Sequence, residues 1–581
     1  MDRLYKLGGR AGLKLLVFLL LALTTAAAAD SAFDIPGWDD SSDRVLKFAL
    51  QDNATSPAER AVSANAPPRF VLIIEVTKAL HITTPRYMSV TISGGQLSRG
   101  LEGFDFKLPR LRNLAAGLSP SYVRFGGTLA DFLDFDPDSV ESSDRFNSFP
   151  FVTRDVEGEL EKNADLEDDI EKELDLDEVP RDLFGLDISA RRAKNLSKKK
   201  KFRTFTISGL RWDNITRFCD FAGWDIMWDF NLLHFKKGRW DPKYAKKFLK
   251  YSASRGVKIP SFQLGNEPNL YKTKMQLDID GKRLAEDFWT LRDLISEMPL
   301  YSDSGIYGPD VTNLDNHKSS RTYLQHYYLK GEIAKLKDFV DPRVMDGLKT
   351  QLDYAYDIAW ENCRVRKPIR LTETSTATGG GVEGVTNAYV AGFLWLDKLG
   401  LAATYRVTHV FRQTFFASSY ALISRDLEPN PDYYLSVMYK RLVEGPVFKV
   451  ITEGLSPLVR VYAHCVSKRY YKYPDGALVV YYLNMAKEQT LLSAGQLLGS
   501  GMNGGAKLDL FVFTPGDSDG LLSRKVKLNG KVLEMNGSNL PRMDAQMHGG
   551  DVPLTPESYG FVVIPYADVP LCKHYHRTEN F

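Results

Sequence analysis

Between Tyr87 and Leu442 short apolar runs alternate with longer amphipathic stretches, and this alternation restricts the fold more than any other feature of the chain. Tyr87–Ile92, Tyr122–Phe125, Trp224–Phe230, Lys258–Leu264, Gly305–Gly308, Thr322–Tyr328, Ile369–Thr372 and Tyr405–Arg412 read as strands. Pro109–Leu118, Pro242–Ser254, Gly281–Glu297, Pro342–Glu361, Val385–Leu399 and Tyr433–Leu442 read as helices. A helix between two strands is the usual crossover of a parallel sheet, and about eight such units predict a (β/α)8 TIM barrel, an α/β fold. After Leu442 the texture changes to short strands separated by Gly, Asn and Asp turns, among them Val459–Cys465, Ala477–Leu483, Lys507–Val512 and Tyr559–Pro565. That pattern predicts a C-terminal β-sandwich, which Phe70–Val76 returns to join.

A barrel of this kind keeps its reacting groups where strands end at the C-terminal rim. Lys258–Leu270 (KIPSFQLGNEPNL) is apolar in its first half, then turns polar at Asn266, Glu267, Pro268 and Asn269. Pro368–Thr374 (PIRLTET) repeats the pattern, with Glu373 at the strand end and Gly379, Gly380 and Gly381 beyond it. Two glutamates at two strand ends fit glycoside cleavage, where one carboxyl protonates the leaving oxygen and the other attacks the anomeric carbon or activates water. We assign Glu267 as acid/base and Glu373 as nucleophile, with Asn266 placed to bind a sugar hydroxyl. Such chemistry calls for no cofactor and no metal.

The remaining composition sets the surroundings. A net charge of +2 over 581 residues gives no global attraction to nucleic acid. In residues 1–29, Arg3, Lys6, Arg10 and Lys14 precede the apolar run Leu15–Leu23 and a small-residue stretch, the pattern of a secretory signal. The run is too short for a stable membrane span, so the product is expected to be secreted, in the extracellular matrix or the lysosome. Asn53, Asn195, Asn214 and Asn536 each open an N-x-[ST] triplet, a glycosylation acceptor in a secreted chain. Cys465 and Cys572 make a plausible disulfide, whereas the spacing leaves Cys219 and Cys363 open. From residue 140 to 203 an acidic tract gives way to a basic one containing Lys198, Lys199 and Lys200. Like-charge blocks do not bury a core, so this insertion reads as a solvated linker, or as a patch for sulfated glycan once its acidic part is displaced. The expected order is signal peptide (1–29), an N-terminal segment partly joining the sandwich (30–84), first barrel units (85–139), linker (140–203), remaining barrel (204–444) and sandwich (445–581).

FQLGNEPN, LTETSTATGGG, AGFLWLDKLGL, LRNLAAGLSPSYVRFGGTLADFLDFDP and YGPDV, in their positions, resemble the heparanase family, retaining glycoside hydrolases that cut heparan sulfate as endo-β-glucuronidases. The resemblance implies the barrel with its sandwich, a retaining mechanism, Glu267 as proton donor and Glu373 as nucleophile. It also implies substrate contacts by Asn266, Thr128, Tyr327, Gln413 and Tyr420. The amides of Gly379 and Gly380, with the Tyr420 hydroxyl, would grip a uronate carboxylate, as a glycine turn offering N–H groups can. It implies a Cys465–Cys572 disulfide, and a proenzyme whose 140–203 insertion is excised by a processing protease. Ser93, Gln325, Glu332 and Thr378 depart from the family's cleft residues, and the stretch from Asp310 to Thr322 is short for a crossover. Hyaluronan, chondroitin or arabinogalactan therefore stand beside heparan sulfate as substrates, and an inactive heparan-sulfate-binding relative is the reading from another class.

Overall fold

The eight predicted barrel strands form one parallel sheet. In the computed structural model the described residues are 67–139, 203–312, 326–331, 334–363, 368–453, 455–493 and 507–578. The signal-like segment, Asn53, Asn195, Lys198, Lys199, Lys200 and nearly all of the charged insertion lie outside them. After β1 (Arg69–Glu75), which belongs to a second sheet, come β2 (Met88–Ser93), β3 (Ser121–Gly126), β4 (Trp224–Phe230) and β5 (Ser261–Leu264). They are followed by β6 (Gly305–Ile306), β7 (His326–Leu329), β8 (Ile369–Ala377) and β9 (Val407–Arg412). The spatial order is β6-β5-β4-β3-β2-β9-β8-β7. All six residues of β2 and all nine of β8 are buried, as expected where helices cover one face and the barrel interior the other. Glu267 follows the fourth barrel strand; Glu373 lies inside the seventh, which runs on to Ala377.

Helices accompany these strands, some with a side-chain cap and some without. These are α1 (Pro109–Ala116), α2 (Gly209–Ala222), α3 (Lys243–Ser254), α4 (Tyr271–Met275), α5 (Gly281–Ser296), α6 (Gly347–Cys363), α7 (Ala391–Thr404) and α8 (Pro431–Leu442). Ser208 accepts the Arg211 amide to start α2, and Gly223, at φ 68°, ends it in the left-handed region. Asp280 caps α5 in the same manner. The predicted helix from Val385 begins only at Ala391, because the amides of Tyr389 and Val390 bond instead to the carbonyls of Ser523 and Leu521, in a short turn between two strands of the second sheet. Two short strands, Leu133–Asp136 and Phe205–Ser208, pair in parallel and so bring the two flanks of the charged insertion together.

The second sheet has twelve strands and includes β1, which pairs antiparallel with β10 (Val443–Glu453). The main part continues through β11 (Val459–Val466), β12 (Leu478–Asn484), β14 (Ser558–Ile564) and β13 (Leu508–Pro515). On β12 the period of two sorts side chains into two cores. Leu478, Val480 and Tyr482 face the core enclosed by the sandwich with Phe70, Leu72 and Ile74 of β1. Val479, Tyr481 and Leu483 join the barrel's core instead. The helix α7 lies between barrel and sandwich, which is why thirteen of its residues are buried and its sequence lacks a polar face. Cys465 on β11 is bonded to Cys572 on α9 (Pro570–Thr578), with Cα atoms 5.4 Å apart. Cys219 is buried and free; the side chain of Cys363 lies outside the described residues. Among the described residues no helix is long and apolar enough to cross a membrane.

Candidate active site

The turn after β5 carries Asn266 and Glu267. Gly265 has φ 81°, and a Cβ there would lie 2.7 Å from Leu232 Cδ2, so the tight exit from the strand requires glycine. Glu267 is itself left-handed at φ 52° and ψ 51°, a strained setting for a non-glycine residue and one found often at functional positions. Its amide donates to the Asp310 carbonyl (2.8 Å), which ties the turn to the segment that follows the next strand. Pro268 then stops the strand direction, and α4 folds Lys274 back onto the glutamate. Lys274 Nζ lies 2.6 Å from Glu267 Oε2 and 3.2 Å from Thr128 Oγ1, while Thr312 Oγ1 donates to Glu267 Oε1 at 3.1 Å.

Across the barrel, Glu373 accepts from Arg124 Nη1 at 2.8 Å on Oε2 and from the Tyr328 hydroxyl at 2.9 Å on Oε1. Arg124 is an interior residue of β3 with no exposed surface. A Cβ on Gly126 would sit 2.4 Å from the Arg124 Cζ, so the glycine two residues on makes room for the guanidinium. The remaining donors of Arg124 reach Gln263 Oε1 (2.7 Å), Asn266 Oδ1 (2.8 Å) and Asp310 Oδ2 (2.5 Å). One guanidinium therefore binds the carboxylate of Glu373 and the side chain next to Glu267. Both glutamates are nearly buried, at 7% and 9% exposure.

The site is rich in carboxylates. Asp131, Asp229, Asp310, Glu267 and Glu373 gather around the cations Arg124 and Lys274. Burial pushes Asp131 up to about 7, against hydrogen bonds from the Tyr271 hydroxyl and the amides of Asn266 and Leu232 that pull it down. Burial also raises Asp229 well above the usual carboxylate range, although Arg124 is near. The same carboxylates raise the Arg124 guanidinium above its ordinary value, outweighing its burial.

The other sequence-assigned residues are distributed as follows. Thr128 and Asn266 share the cluster, the latter also accepting the Gly127 amide at 3.1 Å. Gly379, Gly380 and Gly381 have φ of 67°, 73° and 101°, and the Gly380 carbonyl accepts the Tyr420 amide at 2.9 Å, so the glycine turn and Tyr420 are neighbours. The Tyr420 ring lies 6.1 Å from that of Tyr328. Gln413 is buried; its amide donates to the Thr374 carbonyl at 2.9 Å, and its side chain meets the Thr91 hydroxyl. The side chain of Tyr327 lies outside the described residues, and the described tyrosine bonded to Glu373 is Tyr328. Asn536 is exposed in a turn and Asn214 is half-buried on α2. Sequence reasoning missed Arg124, Asp131, Tyr328, Lys274 and Asp310. The available signal for the first was an arginine within an otherwise apolar strand.

Comparison with known proteins follows the same line. Residues 186–315 match the model for glycosyl hydrolase family 79, N-terminal domain. Heparanase of Gallus gallus is 34% identical over 531 residues, covering 87% of this chain and 97% of the relative. The chain belongs to the heparanase family. Within that family it is also similar to hyaluronoglucuronidase of Hirudo nipponia, 30% identical over 82% of this chain and 93% of the relative. Inactive heparanase-2 of Homo sapiens is 26% identical over 91% and 94%. A solved 4-O-α-L-rhamnosyl-β-D-glucuronidase of Fusarium oxysporum 12S shares the fold, with a TM-score of 0.52 at 12% identity over 83% of this chain and 96% of that one.

Proposed function

We propose that this heparanase-family glycoside hydrolase is a retaining endo-β-glucuronidase that cuts internal glucuronosyl linkages of heparan sulfate. The observation that carries the reading is the shared guanidinium: Arg124 holds the Glu373 carboxylate and, through Asn266, the turn that presents Glu267. Arg124 and the Tyr328 hydroxyl both donate to Glu373, which suits a group that must attack as an anion. Glu267 delivers the proton to the leaving oxygen, then withdraws one from the water that releases the glycosyl-enzyme. Asn266 binds the sugar hydroxyl beside the attacked carbon. The turn Gly379–Gly381 and Tyr420 hold the uronate carboxylate. On the same reading residues 1–29 direct secretion toward matrix or lysosome, and a protease removes the 140–203 insertion before full activity. The similarity to a hyaluronoglucuronidase favours hyaluronan as the second substrate to try.

Reducing-end release from heparan sulfate, hyaluronan and chondroitin, by wild type and by Glu267→Gln and Glu373→Gln, tests the proposal. Heparan sulfate cleavage by wild type alone is the expected result. Binding by all three proteins without cleavage of any polymer overturns it in favour of an inactive glycan-binding relative.

A further inference from the structure

Protein groups engage both oxygens of the Glu267 carboxylate. A proton donor must enter the reaction protonated, yet Glu267 Oε2 faces an ammonium at 2.6 Å and Oε1 accepts a hydroxyl at 3.1 Å, both arrangements that suit the anion. The pair is nearly dry, with the side chains of Lys274 and Glu267 4% and 9% exposed. Separating an ion pair this buried leaves an uncompensated charge, a cost that another anion on the ammonium would offset. Thr128 meets Lys274, Thr312 and the Asp310 carbonyl meet Glu267, and Tyr271 of α4, itself bonded to Asp131, lies near enough to interact with Glu267, while Arg124, Asp229, Asp310 and Glu373 form the adjoining cluster. Arg124 is already committed to Glu373, Asp310, Gln263 and Asn266. Lys274 reaches Glu267 from a short helix at the rim and also touches Thr128.

We propose that Lys274 is a positioning residue that clamps Glu267 as a carboxylate in the empty site and lets it go when a carboxylate or sulfate of the bound glycan takes over the ammonium. Proton donation then depends on the charge of the substrate. On release, Glu267 takes up one proton from solvent, and that proton is the one passed to the leaving oxygen. A neutral glycan of the same shape leaves the clamp closed. The inference rests on the acid/base role proposed above for Glu267 and adds what controls it.

Two measurements test it. The first is kinetic, because the high-pH limb of kcat/KM reports the acid in the free enzyme and that of kcat reports it in the complex. With a sulfated uronate oligosaccharide the wild-type kcat limb should lie about one to three pH units above the kcat/KM limb, the range for removing a nearby opposite charge. In Lys274→Met the two limbs should coincide near the wild-type kcat limb, and Lys274→Arg should restore the gap. Coincident limbs in wild type, or an unchanged gap in Lys274→Met, overturn the clamp while leaving the hydrolase reading intact. Absence of any turnover by wild type removes the hydrolase reading and the clamp with it. The second measurement needs no turnover. Calorimetric binding of the same oligosaccharide to Glu373→Gln, in two buffers of different ionisation enthalpy, should show proton uptake that vanishes when Lys274→Met or Glu267→Gln is added. No uptake, or uptake indifferent to both additions, overturns the clamp even if the kinetic variants fold poorly.

Discussion

Arg124 Nη1 lies 2.8 Å from Glu373 Oε2, and the same guanidinium sits 2.8 Å from the side chain of Asn266, the residue before Glu267. A strand residue and a turn residue remote in sequence are thereby indexed to a single group in the barrel interior. Replacing Arg124 with methionine leaves Asp310, Asp229 and Glu373 buried without their cation. A loss of about 3–5 kcal/mol of stability is expected for such a broken buried pair. Activity should fall further than stability explains. Urea unfolding and initial rates, measured side by side, check both.

On the proposed reading the two glutamates carry the chemistry. Glu373→Gln and Glu267→Gln should each lower turnover by several orders of magnitude, about 10³-fold or more if each supplies over 4 kcal/mol of the barrier reduction. Far-UV circular dichroism should remain that of wild type, because each change is isosteric.

Tyr328→Phe removes one hydrogen bond to a charged group, an interaction of about 1.5–3 kcal/mol. The rate should drop about 10- to 100-fold, with KM little changed. An unchanged rate would count against the assignment of Tyr328.

Asp131 gives a pH signature in stability. Its folded-state value of about 7 lies above that of an unfolded aspartate, so the native state holds an extra proton between about pH 4 and 7. Stability from this group is present below about pH 4 and is lost as pH rises through 7. Asp131→Asn should flatten the fall of melting temperature over that interval, as scanning calorimetry would show.

The Cys465–Cys572 bond closes a separation of 107 residues. Replacing both cysteines with serine should cost about 2–5 kcal/mol. Catalysis at low temperature should survive, because the bond lies in the sandwich core and touches none of the cluster around Arg124. Thermal melts and rates at 20–25 °C, on the order of ambient temperature, separate the two effects.

The barrel was legible because its strands are buried on both faces, so FQL before Asn266 marked a strand end and IRLT marked a strand, although that strand runs past Glu373 to Ala377. The glutamates followed from that. Their partners did not. Arg124 looks like one charge in an apolar run, and only the parallel registers Val123–Ile226 and Phe262–Trp228 bring its side chain toward Asn266. Lys274 is one of two lysines in a five-residue helix, and nothing in the spacing says which one turns back. The choice between Tyr327 and Tyr328 depends on strand phase, which a single residue reverses. In β7 that phase is further altered by a register shift against β8 between Tyr327 and Leu329.

Because β12 supplies alternate side chains to two hydrophobic interiors, neither layer owns its own wall. Heat or denaturant therefore finds no seam along which the sandwich can peel off an intact barrel, and the described body should come apart in one cooperative step. A lesion deep in the sandwich should then silence the distant catalytic centre at the same temperature at which it unfolds the sheet.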